Sequence, residues 1–152
     1  MPTFKTIKEM MGYVQNSFVE ELSSEEIISI IKEVMREVII ETVYNKYDAS
    51  YNRRYDDGGF SDITNYNYKI EVNGNYASIT MFNDTKGVNT KNDLDTVIYY
   101  GNAYDWINSD IYKLQPYPRN WIEETVKKLY ESGELVKRLK DRLSKKGIKI
   151  VS

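Results

Sequence analysis

The residues best suited to chemistry lie in one segment, Tyr44 to Asp62, which combines an arginine pair with nearby aspartates. Its candidate acids or cation ligands are Asp56, Asp57 and Asp62. A glycosidase needs two carboxylates set across a cleft, and a metal site needs oxygens that converge on one point. The spacing here matches neither requirement, and Asp-Asp-Gly-Gly is equally typical of a turn. We therefore expect no catalysis at this segment.

Composition removes several other kinds of site. The chain has 152 residues, a net charge of -2, and neither cysteine nor histidine. The commonest general base, the commonest metal ligand and every thiolate are therefore missing. No apolar run approaches the roughly 20 residues that span a bilayer. We expect a protein that is not an enzyme and that has no cofactor, no metal and no membrane partner.

Tyrosine is the unusual residue type, with 14 Tyr against 4 Phe. Tyrosines favour protein–protein interfaces, although they also line half-exposed sheets. Arg53 and Arg54 among tyrosines could stack on bases, but the neighbouring aspartates repel phosphates. The aspartates of the polar loop 83–95 do not match a calcium-binding loop. The composition thus favours an interaction protein and predicts no specific nucleic-acid binding.

Two helices are predicted before the tyrosine-rich segment. In residues 1–22, apolar side chains recur at helical spacing: Phe4, Ile7, Met11, Val14 and Phe18. Ser23 and Glu26 fit a capping box, in which the glutamate reaches back to the amide of the cap. A long helix over 24–46 follows, with a wide apolar face that a sheet or a neighbouring subunit would cover.

A β-hairpin is predicted over Tyr66 to Asn83, because apolar and polar residues alternate on both sides of Asn73-Gly74. A turn at these two residues would place Val72 opposite Asn75 and Tyr66 opposite Met81. All apolar side chains then fall on one face. Leu94 to Tyr100 is predicted as a third strand, so that the antiparallel sheet covers 66–101.

The C-terminal part, 119–147, is predicted to be helical, with a break at Gly133 and a stop at Gly147. Trp121, Ile122, Val126, Leu129 and Tyr130 share a predicted face, and we expect Trp121 to pack in the core. Residues 148–151 could add a short strand. From Arg119 onward there are 10 Lys/Arg and 5 Asp/Glu, which could meet an acidic or phosphate partner or simply face solvent.

These elements predict a single α+β domain over 1–152. A long N-terminal helix would pack on an antiparallel sheet that contains the hairpin, with helices at the C-terminus. The segment from Tyr44 to Asp62 and the loop 83–95 would be free to reach neighbouring molecules, as connecting segments often do.

Two motifs in this chain resemble the HK97 gp10-like group of neck or tail-completion proteins, in the form found in phages and prophages of Firmicutes. The first is Tyr-x-Arg-Arg-x-x-x-Gly-Gly-hydrophobic-x-Asp. Its residues here are Tyr51, Arg53, Arg54, Gly58, Gly59, Phe60 and Asp62. The second is a proline-arginine-aromatic motif that opens the last helix, with residues Pro116, Pro118, Arg119 and Trp121. The resemblance spans about Glu25 to Val151, with Asn120 where many relatives have proline.

The resemblance implies a structural, non-enzymatic protein at the head–tail junction or upper tail end, assembled in the bacterial host cytoplasm into a virion or phage-tail-like particle. Partners would be further copies in a ring and neighbouring head-completion, tail-terminator or tail-tube proteins, with only passive contact to DNA in transit. The expected interface residues are Tyr47, Tyr51, Arg53, Arg54, Gly58, Gly59, Phe60, Asp62 and Arg119. Each arginine could instead pair with a local aspartate. The alternative function is a small cytosolic protein- or nucleic-acid-binding module.

Overall fold

The computed structural model describes residues 2–45, 57–74, 76–86, 94–101 and 118–151. It confirms the α+β class, with five α-helices and one two-stranded antiparallel sheet in these ranges. Helix α1 runs from Ile7 to Leu22, as the N-terminal pattern predicts. It begins at Thr6, whose side chain accepts a hydrogen bond from the Glu9 amide at 3.2 Å. A threonine in this position satisfies one of the free amides of the first turn.

The long predicted helix forms as α2, Glu25–Ile39, followed by a π-helical segment, Ile40–Tyr44. The predicted capping box is wrong. Ser23 ends α1 instead, with its amide bonded to Val19 O and its hydroxyl to Glu20 O. The Glu26 carboxylate accepts a hydrogen bond from Arg142 at 2.7 Å, because a guanidinium is a stronger partner than a backbone amide.

The predicted hairpin is confirmed as β1, Tyr66–Asn73, and β2, Tyr76–Asn83. Its register differs by two residues from the prediction. The Asp84 amide bonds Asn65 O at 2.9 Å, which places Tyr66 opposite Asn83 and Asn73 opposite Tyr76. β1 therefore ends at Asn73, and β2 begins at Tyr76. Because strand side chains alternate with a period of two, the shift leaves the apolar residues on the predicted face.

The strand predicted over Leu94 to Tyr100 is wrong, since these residues form helix α3. The sheet in the described residues is thus confined to the hairpin. Leu94 and Ile98 are four residues apart and both lie against one buried cluster, which is helical spacing. Asp95 in the first turn also favours a helix start. Gly101, with φ +67, follows the last helical residue, as a glycine at a helix end commonly does.

Two helices follow in the C-terminal part, α4 at Trp121–Ser132 and α5 at Glu134–Lys145. Gly133 separates them with φ +64, as predicted. Gly147 ends α5, and the Ile148 amide reaches back to Leu143 O at 3.0 Å in a Schellman motif. The short strand considered for residues 148–151 is not present, and these residues have no regular secondary structure.

The chain divides into two compact units. The first unit contains Met1–Ile31, Tyr68–Thr80 and Leu129–Ser152, and the second contains Lys32–Asn67 and Met81–Lys128. In the second unit, the end of α2 and the base of the hairpin share one buried cluster. Its members are Met35, Val38, Ile39, Val43, Tyr44, Phe60, Tyr66, Ile98 and Trp121. The expected packing of the long helix on the sheet is therefore present there. The single-domain organisation stays a prediction.

Candidate interaction surfaces

The described part of the first family motif is a tight polar turn. Gly58 has φ +70, and its amide donates to Asp62 Oδ2 at 2.9 Å. The other oxygen of Asp62 accepts from the Thr64 hydroxyl at 2.7 Å and from the Thr64 amide at 3.0 Å. The hydrogen bonds from the Thr64 hydroxyl, then from the two amides, hold the pKa of Asp62 below its ordinary value. Asp62 thus fixes this turn as a carboxylate.

Phe60, the hydrophobic residue of the motif, is buried with 2% of its surface exposed. Its ring meets the Trp121 ring edge-on at 5.4 Å between centroids. Its amide donates to the Tyr44 hydroxyl at 3.0 Å, and its carbonyl accepts from Tyr66 and Asn83 at 3.2 and 2.8 Å. The polar groups around Phe60 therefore have partners inside the second unit, as buried polar groups need.

The carbonyl oxygen of Gly59 also accepts several hydrogen bonds. It accepts from the Asp62 amide at 3.1 Å, from Asn65 Nδ2 at 3.2 Å and from the Thr85 hydroxyl at 3.2 Å. Thr85 is itself buried. Together with Phe60, these contacts form a buried polar cage, which we define as Tyr44, Gly59, Phe60, Tyr66, Asn83 and Thr85. The glycine pair of the motif thus serves as a structural anchor of the second unit.

Arg119, from the second motif, lies just before α4 and is buried, with 5% exposed. Its amide donates to Ile98 O at 3.2 Å and to Tyr99 O at 3.1 Å. These bonds satisfy two of the carbonyls left free at the end of α3. The backbone of Arg119 therefore joins α3 to the start of α4 within the second unit.

The nine predicted interface residues divide into two groups. Tyr47, Tyr51, Arg53 and Arg54 lie outside the described residues. The other five, Gly58, Gly59, Phe60, Asp62 and Arg119, all take part in contacts within the second unit. Their role in an interface stays a prediction. For Phe60 and Arg119, burial makes a contribution to the fold the more direct explanation.

Helix α1 exposes apolar residues, three of which, Ile7, Met11 and Val14, belong to the predicted helical pattern. Ile7 is 73% and Met11 55% exposed, with Met10 and Val14 also open to solvent. These four residues are defined here as the α1 surface. The pattern itself was visible in the sequence, but its exposure was not. Clustered exposed apolar side chains commonly mark a contact site.

A second exposed apolar row lies on α4, where Ile122, Val126 and Tyr130 follow at four-residue spacing. We call these three residues the α4 surface. The sequence predicts them on one face with Trp121. Trp121 is buried as predicted, whereas Val126 is 62% and Tyr130 85% exposed. The predicted face is thus split, because residues one and five positions apart point in different directions on a helix.

Ion pairs join α1 to α5 within the first unit. Glu21 is buried and accepts from Arg142, and it lies 3.2 Å from Lys146. Arg142 also bonds Glu26 at 2.7 Å, and Lys146 contacts Glu20 at 2.7 Å. Burial alone would raise the pKa of Glu21, but hydrogen bonds from Arg142 and Lys146, with their charges, outweigh it and lower the pKa. Part of the basic C-terminal charge is thus neutralised inside the fold.

No group of three acidic side chains in the described ranges could hold a metal ion. No described helix is both long and apolar enough to cross a membrane.

A family model called YomN matches residues 5–145. The chain belongs to the YomN family. This family is associated with bacteriophages, so this YomN family member is a phage-associated protein. The match covers α1 to α5 and therefore includes both exposed surfaces. It does not single out the HK97 gp10-like group. Comparisons with curated proteins and with solved structures give no match.

Proposed function

We propose that this protein is a structural, non-enzymatic component of a tailed phage, prophage or phage-tail-like particle. It acts at the neck or upper tail end, in head–tail joining or tail completion. The observation that carries the proposal is the phage-associated family match over residues 5–145. The two motifs that resemble the HK97 gp10-like group support the finer location.

The mechanism we propose is assembly through protein–protein contacts. The α1 surface and the α4 surface are two different apolar patches on one chain. When two different patches of identical subunits bind each other, the contact repeats and closes into a ring if the rotation allows. Further copies of this chain would form that ring. Head-completion, tail-terminator or tail-tube proteins would bind its two sides.

Deletion of the gene in its phage, followed by electron microscopy of the lysate, tests this proposal. We expect heads and tails that fail to join, or tails with an incomplete upper end, and a loss of plaque formation. The wild-type gene supplied in trans should restore both. Normal particles at full titre without the gene would contradict the proposal.

A matched pair of variants sharpens the same experiment. Val126→Asp places a charge in the α4 surface, whereas Lys127→Asp changes the neighbouring exposed residue of the same helix. We expect Lys127→Asp to complement the deletion and Val126→Asp to fail, although both proteins fold. Equal complementation by the two variants would remove the α4 surface from the mechanism.

The alternative function, a nucleic-acid-binding module, has one specific observation in its favour. Lys137, Lys140 and Lys145 of α5 take part in none of the ion pairs found in the described residues. A protein that neutralises phosphates with such lysines binds DNA less tightly as salt rises. Salt-sensitive DNA binding, lost on changing these three lysines to glutamine, together with normal particles from the deletion strain, would favour the alternative.

A further inference from the structure

The hairpin has one edge that lacks the usual protection against pairing. In the part of the chain that the structure describes, the sheet has two strands, so each strand has an outer edge. On β1, Lys69 and Glu71 form an exposed ion pair at 2.6 Å. On β2, Tyr76–Asn83, no residue is charged and none is proline or glycine. Proteins normally block free edges with charges or proline, so among the described residues β2 is open to a further strand.

The register of the hairpin shows which backbone groups face the open edge of β2. The bond from the Asp84 amide to Asn65 O marks one hydrogen-bonded pair, and such pairs recur at every second residue. Ser78 and Thr80 therefore bond β1. Ala77, Ile79 and Met81 direct their N–H and C=O groups away from β1. None of the hydrogen bonds found among the described residues from outside the sheet reaches these groups.

The side chains of β2 are self-complementary about Ile79. In an antiparallel pair of two β2 strands centred there, Ile79 faces Ile79 and Ala77 faces Met81 of the second copy. On the other face Ser78 meets Thr80, and Tyr76 meets Phe82. Each side chain is thus paired across the strands with one of the same chemical type: apolar, hydroxyl or aromatic. Such cross-strand pairs stabilise a sheet, and no like charges lie opposite each other.

We infer that β2 pairs with β2 of a second copy of this chain, so that the two hairpins form one four-stranded antiparallel sheet with a two-fold axis at Ile79. The outward N–H and C=O groups of Ala77, Ile79 and Met81 then bond those of Met81, Ile79 and Ala77 in the second copy. The same edge serves both chains, so the contact closes at two copies.

This inference does not depend on the proposed function. A ring requires contacts between two different patches, whereas the β2 edge binds only itself. It joins copies in pairs, whether or not those pairs stand in a phage particle. The plaque phenotype of a deletion strain and the dimerisation of the purified chain are therefore separate readouts.

The absence of cysteine from the chain permits a direct test by cross-linking. Ser78 of one copy and Thr80 of the second copy form a pair that is not hydrogen-bonded, with Cα atoms about 4.5 Å apart, close enough for a disulfide. We would make Ser78→Cys and Thr80→Cys as two single variants, both at exposed positions. Each alone places its cysteine opposite a hydroxyl residue, and only a mixture of the two places cysteine opposite cysteine.

We expect a disulfide-linked dimer that forms on mild oxidation of the mixture at least ten times faster than with either variant alone. Light scattering after size exclusion should show the mass of the Val126→Asp variant, in which the α4 surface carries a charge, rising with concentration to that of two chains and no further. Equal cross-linking in all three samples, or none in any, would overturn the inference. So would a mass of the Val126→Asp variant that stays at one chain into the millimolar range or grows beyond two.

Discussion

Each of the two compact units of this chain is stabilised internally by a different kind of interaction. In the second unit, Phe60 lies among buried apolar side chains, and its backbone groups are bonded within the buried polar cage. In the first unit, Glu21 is buried between α1 and α5 and is balanced by Arg142 and Lys146. Apolar burial is nearly independent of pH, whereas a buried ion pair is not. Substitutions and pH should therefore affect the two units differently.

The largest effect is expected at the centre of the second unit. Phe60→Ala removes a fully buried ring and its contact with Trp121. We expect the free energy of unfolding to fall by about 3–5 kcal/mol, measured with urea. Val151→Ala is the control, because Val151 is 94% exposed and its loss should change stability by less than about 0.5 kcal/mol. Similar losses in the two variants would show that Phe60 does not organise the core.

The next largest effect is expected at the ion pairs of the first unit. Glu21→Gln keeps the shape of the side chain but removes the charge that balances Arg142 and Lys146. We expect a loss of about 2 kcal/mol, since hydrogen bonds to charged groups are the strong ones. Glu33→Gln changes an exposed residue and should have little effect in the same urea titration.

The same pair of variants gives a test of pH dependence. The pKa of Glu21 is lowered in the folded protein, with an ordinary value of 4.5. Its stabilisation should be complete above that ordinary value and should disappear as the pH falls through the lowered value. Urea unfolding from neutral pH to about pH 3 should therefore show an acid-induced loss that Glu21→Gln reduces and Glu33→Gln leaves intact. An identical pH profile for all three proteins would contradict this account of Glu21.

Two glycines of the first unit should respond to alanine with opposite sign. Gly74 has φ +58, where a Cβ is strained, so Gly74→Ala should cost about 1 kcal/mol, and Gly74→Asn less. Gly12 lies inside α1 with open space around it, so Gly12→Ala should stabilise the protein by about 0.5–1 kcal/mol. Thermal melts of the three variants would measure both effects. Shifts of the same sign for the two alanines would contradict the assigned backbone geometry.

The smallest effect on stability is expected at the exposed surfaces. Val126→Ser on the α4 surface should change the free energy of unfolding by less than about 0.5 kcal/mol. A destabilisation as large as that of Glu21→Gln would instead show that Val126 supports the fold. The expected difference in stability effect between the exposed Val126 and the buried Phe60 would then be contradicted.

The sequence predicts most of the elements but not their environment. Helix α2, the hairpin and the glycine break at Gly133 follow from local patterns, and all three are present. The residues Leu94 to Tyr100 were predicted as a strand because short apolar runs rich in aromatic and β-branched residues fit both structures. Their helical state depends on the buried cluster that Leu94 and Ile98 contact, which no local pattern reveals.

The site was less predictable than the fold. The motif residues Gly59 and Phe60 stand out in the sequence, but their partners Asn83 and Thr85 are more than 20 residues away. The role of Ser23 depended on where α1 ends, and that of Glu26 on a distant arginine. Exposure of the α1 surface is a tertiary property, since the same apolar spacing would be expected of a buried helix.

The central claim is that this protein is a structural part of a phage particle. The most direct test is to purify particles of the phage that carries the gene, quantify the protein by mass spectrometry, and locate it by antibody labelling in electron micrographs. We expect several copies per particle, with label at the junction of head and tail or at the upper tail end. Purified, infectious particles that lack the protein would contradict it.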